Sequence, residues 1–91
     1  MENYQILYES EVVQSDIPAL SKDVVKLIRS AIEKKLAVNP IEFGKPLQYD
    51  LLGHRRLRVG DYRVIYRIEK KLVIISAIKC RREIYNEWLL R

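Results

Sequence analysis

The chain has 91 residues, a formal net charge of +5, one cysteine and one histidine. This length suits a single hydrophobic core, so we expect residues 1–91 to form one domain. A lone cysteine cannot form an internal disulfide, and with one histidine it cannot supply a Cys/His metal cluster. No apolar run approaches the roughly 18 residues of a membrane helix, and the start MENYQILYES lacks the pattern of a signal peptide. We therefore expect a reduced, cytoplasmic protein with no metal, no other cofactor and no membrane partner.

The charges are unevenly distributed along the chain. Residues 1–53 carry six basic and eight acidic side chains, whereas residues 54–91 carry eleven basic and four acidic ones. A basic half on a near-neutral body is typical of proteins that bind nucleic acid. A basic surface that contacts only water would give the same counts, so charge alone leaves both interpretations open.

The beginning of the chain predicts one strand and an ambiguous segment. Residues 4–8 (YQILY) are rich in β-forming side chains and predict a first strand. Residues 11–20 have a loose helical pattern that contains Pro18. Proline suits the first turn of a short helix better than its interior.

A firmer helix follows this segment. Ser21 is a suitable N-cap, and apolar residues then recur at helical spacing in Val24, Val25, Ile28, Ile32 and Leu36. Asn39-Pro40 should end this helix. Residues 39–53 are rich in proline and glycine, which predicts mostly loop.

The second half of the chain predicts a hairpin and an apolar strand. Residues 54–59 and 62–68 read as paired strands, and Gly60-Asp61 between them suits a type II′ turn. Residues 72–78 (LVIISAI) are apolar on both faces, which predicts a central strand, and residues 83–91 could form a short last helix. The order β-α-α-β-β-β(-α) predicts an α+β domain, with two helices packed on one face of an antiparallel sheet.

The two-residue loop fixes the register of the hairpin. On the core side, the expected pairs are Val59 with Tyr62, Leu57 with Val64, and Arg55 with Tyr66. On the other side, they are Arg58 with Arg63, Arg56 with Ile65, and His54 with Arg67. Like charges opposite one another destabilise a strand pair, so these arginines indicate an anionic partner such as a chain of phosphates. The alternative is a water-exposed face on which long arginine side chains splay apart.

Strict alternation in the last strand divides its residues between two faces. One face should carry Val73, Ile75, Ala77 and Lys79, and the other Leu72, Ile74, Ser76 and Ile78. Spacing alone does not decide whether Arg81 joins the arginines of the hairpin, because that depends on the strand order.

These residues resemble the core pattern of RelE-type toxins of bacterial and archaeal toxin–antitoxin modules. The family pattern has a G-K-P-L element, a loop ending in Gly, an L-R-x-G-x-Y-R-x-x-Y hairpin, an apolar strand, and an ending with Arg and Tyr. Here the matching elements are residues 44–47, Gly53, residues 57–66, residues 72–78, and Arg81 with Tyr85. The resemblance covers roughly residues 4–85, and the hairpin is its specific part. It implies a RelE-like fold of the microbial-ribonuclease kind.

The resemblance also implies an activity and partners. RelE-like toxins enter the ribosomal A site and cut the mRNA there without a metal. The 2′-hydroxyl of one nucleotide attacks the neighbouring phosphodiester, which leaves a 2′,3′-cyclic phosphate or a 3′-phosphate. The expected partners are therefore the ribosome, mRNA and a cognate antitoxin that covers the arginines or displaces residues 86–91. The oligomeric state stays open.

Roles for individual residues follow from the same resemblance. Arg63 matches the arginine that stabilises the phosphate, and Arg81 the arginine at the leaving 5′-oxygen. Tyr85 matches the tyrosine that acts as base or orients the substrate. Arg56, Arg58 and Lys45 are the expected substrate-binding residues.

The chain departs from the family pattern in two places. His54 and Arg56 stand where relatives often carry lysines, and a histidine can serve as a base near neutral pH. His54 is therefore a fourth candidate catalytic residue, with a surface histidine as the alternative. Cys80 stands where many relatives carry histidine, which removes one possible active-site imidazole.

Two other functions fit the same fold. A ParE-type toxin poisons DNA gyrase and cuts nothing, and a nuclease-dead relative only binds RNA. The combination of Arg63, Arg81 and Tyr85 favours a nuclease, because ParE-type chains generally lack the full set. The loss of histidine at Cys80 keeps the nuclease-dead alternative open.

Overall fold

The computed structural model describes residues 3–47 and 52–84, which form one five-stranded sheet and short helices. The strands are β1 (Gln5–Tyr8), β2 (Lys45–Pro46), β3 (Arg55–Val59), β4 (Tyr62–Glu69) and β5 (Leu72–Cys80). The helices are α1 (Lys22–Ala31), α2 (Pro40–Phe43) and α3 (Arg81–Ile84). Two π-helical segments are Val12–Asp16 and Ile32–Leu36, of which the second continues α1. No helix within these described ranges is long and apolar enough to cross a membrane.

The α+β arrangement is confirmed, but one part of the sheet differs from the expectation. The strand order is β1-β5-β4-β3-β2, and β1 pairs with β5 in parallel rather than antiparallel fashion. The chain crosses from one edge of the sheet to the other through its helices and then returns strand by strand. Each return step is antiparallel, and the last of them brings β5 alongside β1 in the same direction.

The first long helix forms as its sequence predicts. The Ser21 side chain accepts a hydrogen bond from the backbone N–H of Val24 at 3.3 Å, which caps α1. Its apolar stripe is buried at Ile28, Ile32 and Leu36. These side chains pack against β3, β4 and β5 in one core cluster, so the helices cover one face of the sheet.

Residues 39–47 are more ordered than the predicted loop. Asn39 caps α2 by accepting a hydrogen bond from the N–H of Glu42 at 3.2 Å, with Pro40 at the first helical position. Lys45–Pro46 then form the edge strand β2. Both elements are too short for a periodic pattern, so the turn-forming residues dominated the prediction.

The segment ahead of α1 is partly helical, as its loose pattern suggests. Its π-helical part, Val12–Asp16, ends before Pro18 and buries Val12 in the core. Pro18 therefore lies after this short helix, not in its first turn.

The hairpin register is confirmed. Val59 pairs with Tyr62, Leu57 with Val64, Arg55 with Tyr66, Arg58 with Arg63, and Arg56 with Ile65. Gly60 has a φ of +59°, which the first position of a type II′ turn requires. β3 begins at Arg55, so His54 lies just before the strand instead of pairing within it.

A β-bulge makes the predicted alternation of β5 wrong beyond Ile75. Ile65 pairs with Ala77 while Tyr66 pairs with Ile75, so Ser76 is the extra residue. Ile78 therefore joins the helix-covered core, whereas Ala77 turns to the opposite face and packs with Ile65. Lys79 pairs with Arg63 on that opposite face. We call this face, which carries Lys45, Arg56, Arg58 and Arg63, the arginine face.

The edge of β5 beyond β1 is bound by a buried carboxylate. Asp16 is 4% exposed, and its side chain accepts hydrogen bonds from the N–H of Ile78 at 2.9 Å and from Lys79 Nζ at 3.0 Å. Asp16 thus satisfies an amide at the sheet edge and compensates the charge of a lysine next to Arg63.

Asp16→Asn should lower the free energy of unfolding by about 1–2 kcal/mol. The amide oxygen can still accept from Ile78, but it cannot compensate the charge of Lys79. Urea denaturation measures the change, with Glu11→Gln as a control because Glu11 is exposed. Equal midpoints for the two variants would contradict the role of Asp16.

Candidate nucleic-acid interface

A cavity of about 430 Å³ opens on the arginine face. It is lined by Phe43, Lys45, Arg56, Arg58, Arg63, Arg81 and Ile84. Five of these seven residues are cationic, and they come from β2, β3, β4 and α3. Side chains that are far apart in the sequence therefore concentrate positive charge at one place, as an anion-binding site requires.

Strand pairing brings these cations together. Lys45 pairs with Arg56 across β2 and β3, and Arg58 pairs with Arg63 across β3 and β4. Arg81 is the first residue of α3, and its backbone N–H donates to the carbonyl of Asp61 in the hairpin turn at 2.8 Å. This bond fixes the start of α3 beside the hairpin. Arg81 therefore joins the arginines of the hairpin in lining the cavity, which residue spacing alone could not decide.

Arg63 is the most buried of the cavity arginines. It is 7% exposed, and its Nη1 donates to the carbonyls of Gly60 and Tyr62, both at 3.0 Å. Burial, followed by the charges of Arg58, Arg81 and Arg56, lowers the pKa of the Arg63 guanidinium, while Asp61 acts in the opposite direction. The ordinary pKa of arginine is so high that Arg63 stays protonated at neutral pH.

The cavity arginines have no carboxylate partner among the residues that the structure describes. The ion pairs found there join Arg67 to Glu9 and Glu69, and Lys79 to Asp16. Within the described residues, carboxylates therefore form ion pairs with cations around the cavity but not with those that line it. This pattern leaves the cavity charges for a ligand with negative groups.

Hydrogen bonds from Tyr66 and Arg55 to backbone carbonyls of residues 40–44 hold the segment that leads to Lys45. We call this set of hydrogen bonds the lock. The Tyr66 hydroxyl donates to the carbonyl of Pro40 at 2.5 Å, and burial raises the pKa of this hydroxyl. Arg55 Nη2 donates to the carbonyls of Ile41 and Gly44 at 2.7 and 2.9 Å. Gly44 lies directly against Tyr66, where an added Cβ would come 1.6 Å from the hydroxyl oxygen. The position of the Tyr66 side chain therefore requires a glycine at position 44, in the G-K-P-L element.

Comparison with known proteins gives the family. Residues 8–85 match the family model described as the ParE toxin of type II toxin–antitoxin systems, parDE. The chain belongs to the RelE/ParE superfamily of type II toxins. The expected RelE-like fold and toxin membership are thereby confirmed.

Individual relatives agree with this assignment. Over 53 residues the toxin is 40% identical to Toxin RelG of Mycobacterium tuberculosis, a match that covers 56% of this chain and 61% of RelG. Its fold is similar to the toxin–antitoxin complex RelBE2 of M. tuberculosis, with a TM-score of 0.80, 26% identity, and coverage of 89% and 94%. The RelB–RelE complex of Methanococcus jannaschii gives a TM-score of 0.71 at 21% identity, with coverage of 90% and 98%. At this lower identity the likeness concerns the fold alone.

The predicted site residues of the toxin do not all meet in the cavity. Lys45, Arg56, Arg58, Arg63 and Arg81 line it together. His54 is only 5% exposed, and it is not among the lining residues. Its carbonyl accepts a hydrogen bond from the N–H of Leu47 at 3.0 Å, which joins the residue after β2 to the residue before β3. Tyr85 lies outside the described residues, as do residues 86–91.

Cys80 lies beside the cavity arginine Arg81 but does not line the cavity. Its thiol donates to Glu83 Oε1 at 3.1 Å, and this bond is the main reason why the pKa of the Glu83 carboxyl is lowered. The residue that replaces the family histidine therefore interacts with α3 rather than with the cavity.

Sequence reasoning missed Phe43, which lines the cavity of the toxin. Residue 43 fell within a segment that was interpreted as loop. The signal that could have found it is its position directly before the G-K-P-L element, two residues from Lys45.

Proposed function

We propose that this toxin is a ribosome-dependent, metal-independent mRNA endoribonuclease that cuts in the ribosomal A site and so inhibits translation. The observation that supports this best is the cavity in which Arg63 and Arg81 lie together with three further cations. A phosphodiester that is being cleaved gains negative charge on its non-bridging and leaving oxygens. Such an activity also requires that the toxin act in the cytoplasm, where the ribosomes are.

The reaction begins when the 2′-hydroxyl loses its proton and its oxygen attacks the adjacent phosphorus. The bond from phosphorus to the 5′-oxygen breaks, so a 2′,3′-cyclic phosphate remains on one product. The leaving 5′-oxygen takes up a proton from water and becomes the 5′-hydroxyl of the other product, while the base releases the proton of the 2′-hydroxyl to water. Arg63 stabilises the charge on the phosphate oxygens, and Arg81 stabilises the leaving 5′-oxygen. Lys45, Arg56 and Arg58 bind neighbouring phosphates.

The base is assigned by resemblance to Tyr85. His54 is buried and does not line the cavity, which counts against His54 in this role. A tyrosine has an ordinary pKa far above 7, so it transfers a proton less readily than a histidine would. Positioning by the ribosome and the electrostatics of the arginines therefore supply much of the rate.

Primer extension on a message translated by purified ribosomes tests the proposal. Wild-type toxin should produce cuts between A-site nucleotides, and Arg81→Ala should remove them. Arg82→Ala is the matched control, because Arg82 is exposed and does not line the cavity. Equal cutting by the two variants, or equal loss in both, would contradict the role of Arg81.

The ParE description of the matching family model supports a second candidate, a gyrase-poisoning toxin. Growth arrest without any mRNA cut, together with inhibition of DNA supercoiling by purified gyrase, would favour it. Binding to programmed ribosomes with neither cleavage nor growth arrest would instead indicate a nuclease-dead relative.

We also propose that a cognate antitoxin binds the toxin over the cavity. The RelBE2 and RelB–RelE structures similar to this chain are toxin–antitoxin complexes. An acidic segment of the antitoxin would compensate the arginines that lack carboxylate partners among the described residues.

Hydrogen exchange of the complex with its antitoxin tests this partner site. The amides of residues 55–63 or of residues 86–91 should exchange more slowly in the complex than in the free toxin. If both stretches exchange at the same rate in the two states, the proposed antitoxin site is wrong.

A further inference from the structure

The cavity on the arginine face has an apolar wall as well as a charged one. Phe43 and Ile84 line it beside the five cations. Ile84 is buried, whereas Phe43 remains 48% exposed although it is a large aromatic residue. The cavity therefore offers an exposed aromatic ring and positive charges to the same ligand.

The backbone on both sides of Phe43 is fixed. The N–H of Phe43 donates to the carbonyl of Asn39 at 3.2 Å in α2. On the other side, Gly44 is held against Tyr66 and accepts a hydrogen bond from Arg55 at 2.9 Å. A side chain on such a rigid support loses little conformational entropy when a ligand covers it.

Positive charges flank the Phe43 ring. Lys45, two residues further along, lines the same cavity and pairs with Arg56. Lys35 Nζ lies over one face of the ring, 5.9 Å from the ring centroid. A nucleotide presents the complementary pair of features, an anionic phosphate joined to a flat base with apolar faces.

We propose that Phe43 is a stacking platform for an unpaired nucleobase of the RNA whose phosphates bind to the cavity arginines. This inference rests on the proposed function, because it assumes that RNA is the ligand of the cavity. Phenylalanine has no hydrogen-bonding group, so the platform accepts any base. It orients the nucleotide and is a positioning residue, since it does not contact the reacting atoms.

A purely apolar protein segment is a less suitable occupant of this wall than a nucleotide. An apolar segment that covered Phe43 would also bury cations that lack carboxylate partners among the described residues, which costs free energy. The neighbouring Ile41 is 58% exposed but does not line the cavity, so the apolar surface of α2 is only partly directed at the ligand site.

Binding of a single-stranded RNA oligonucleotide tests the platform. The probe is a fluorescent oligonucleotide of about ten nucleotides, a length within the range of single-strand binding sites. It is 2′-O-methylated throughout so that no 2′-hydroxyl can attack, and fluorescence anisotropy at low salt gives its affinity. Phe43→Leu should weaken binding by about 5- to 100-fold, Phe43→Trp should retain it, and Ile41→Ala is the matched control with unchanged affinity.

Abasic probes separate stacking from a general loss of structure. Each probe of the series lacks one base of the oligonucleotide. Loss of the base at one position should weaken binding to the wild-type toxin by the same factor as Phe43→Leu weakens binding of the intact probe. The same probe should not weaken binding to Phe43→Leu any further, because the stacking interaction is already absent. Thermal unfolding should give equal midpoints for Phe43→Leu and Ile41→Ala within about 2 °C.

The outcomes distinguish the platform from the proposed nuclease. RNA binding that depends on Phe43, without cleavage on ribosomes, supports the platform and refutes the nuclease. Wild-type affinity in Phe43→Leu overturns the platform, as does an equal loss in Ile41→Ala or no RNA binding by the wild type. Weaker antitoxin binding with unchanged RNA binding in Phe43→Leu also overturns it, in favour of a protein contact.

Discussion

Gly44→Ala should destabilise the toxin by about 3 kcal/mol or more, a loss at or above the usual upper range for overpacking. The added Cβ would lie 1.6 Å from the Tyr66 hydroxyl oxygen and 2.6 Å from the ring carbon that carries it. Tyr66 is fully buried, so its ring cannot move away without displacing the core. The clash would also break the hydrogen bond from Tyr66 to the carbonyl of Pro40. The free energy of unfolding from urea denaturation measures the loss.

Gly60→Ala is the matched control for this substitution. Gly60 has a positive φ of 59° but nothing lies within 4 Å of an added Cβ, so only backbone strain of about 1–2 kcal/mol is expected. In the double variant Gly44→Ala/Tyr66→Phe, removal of the hydroxyl should recover part of the loss. Gly44→Ala with no larger effect than Gly60→Ala would show that the segment around Gly44 moves freely and that no lock exists.

A failure of this lock should also affect the cavity. Gly44 stands between Phe43 and Lys45, and both residues line the cavity. Residues that determine the stability of the fold therefore also position part of the candidate site. In this chain, the contact of Gly44 with Tyr66 thus joins the G-K-P-L element to the R-x-x-Y end of the hairpin.

The hairpin could be predicted from sequence because its constraints are local. A two-residue turn at Gly60-Asp61 fixes which residues face each other, and period-two alternation then fixes the two faces. The pairing of Arg58 with Arg63, on which the functional interpretation depends, follows from that register alone.

Other features depend on contacts that spacing does not encode. The bulge at Ser76 moves Ile78 to the core and Lys79 to the arginine face, although the apolar run of β5 shows no break. The hydrogen bond from the Ser76 hydroxyl to Glu9 Oε1 at 2.8 Å accompanies this bulge and joins residues 67 positions apart. The parallel pairing of β1 with β5 likewise requires the strand order, which one sequence does not contain.

The candidate site divides in the same way. Arg56, Arg58 and Arg63 share a face because of the local register, and their meeting could be predicted. Arg81 is placed at the cavity by the hydrogen bond from its N–H to the carbonyl of Asp61, and Phe43 is placed there by the short helix α2. Neither placement follows from local spacing. The burial of His54 depends on tertiary packing, so sequence reasoning could name it as a candidate base without detecting that it is enclosed.

Arg63→Gln should reduce mRNA cleavage by about 100- to 1,000-fold, the usual loss when one preorganised donor to a developing oxyanion is removed. Binding to programmed ribosomes should fall much less, because the other cavity cations remain. Single-turnover cleavage on ribosomes measures the rate, and co-sedimentation with ribosomes measures binding. An equal fall in both would contradict a role for Arg63 in the transition state.

The same substitution should not lower stability. Burial and the charges of three neighbouring arginines lower the pKa of Arg63, so the folded protein binds this proton less strongly than the unfolded chain does. The protonated form, which is present at every pH below that lowered pKa, therefore costs stability. An uncharged glutamine removes this cost, which offsets the loss of the hydrogen bonds from Arg63 to the carbonyls of Gly60 and Tyr62. The expected midpoint of thermal unfolding of Arg63→Gln is equal to or above that of the wild type.

Arg67→Gln is the matched control, because Arg67 lies on the same strand but is paired with Glu9 at 3.0 Å. This variant should lose up to about 1 kcal/mol of stability and keep its cleavage rate, since the ion pair is partly exposed and distinct from the cavity. The same Arg→Gln change would then lower cleavage but not stability at Arg63, and lower stability but not cleavage at Arg67. Such a result would show that Arg63 serves ligand binding and that Arg67 serves the fold. If Arg63→Gln instead unfolds the toxin while Arg67→Gln abolishes cleavage, the two roles assigned here are reversed.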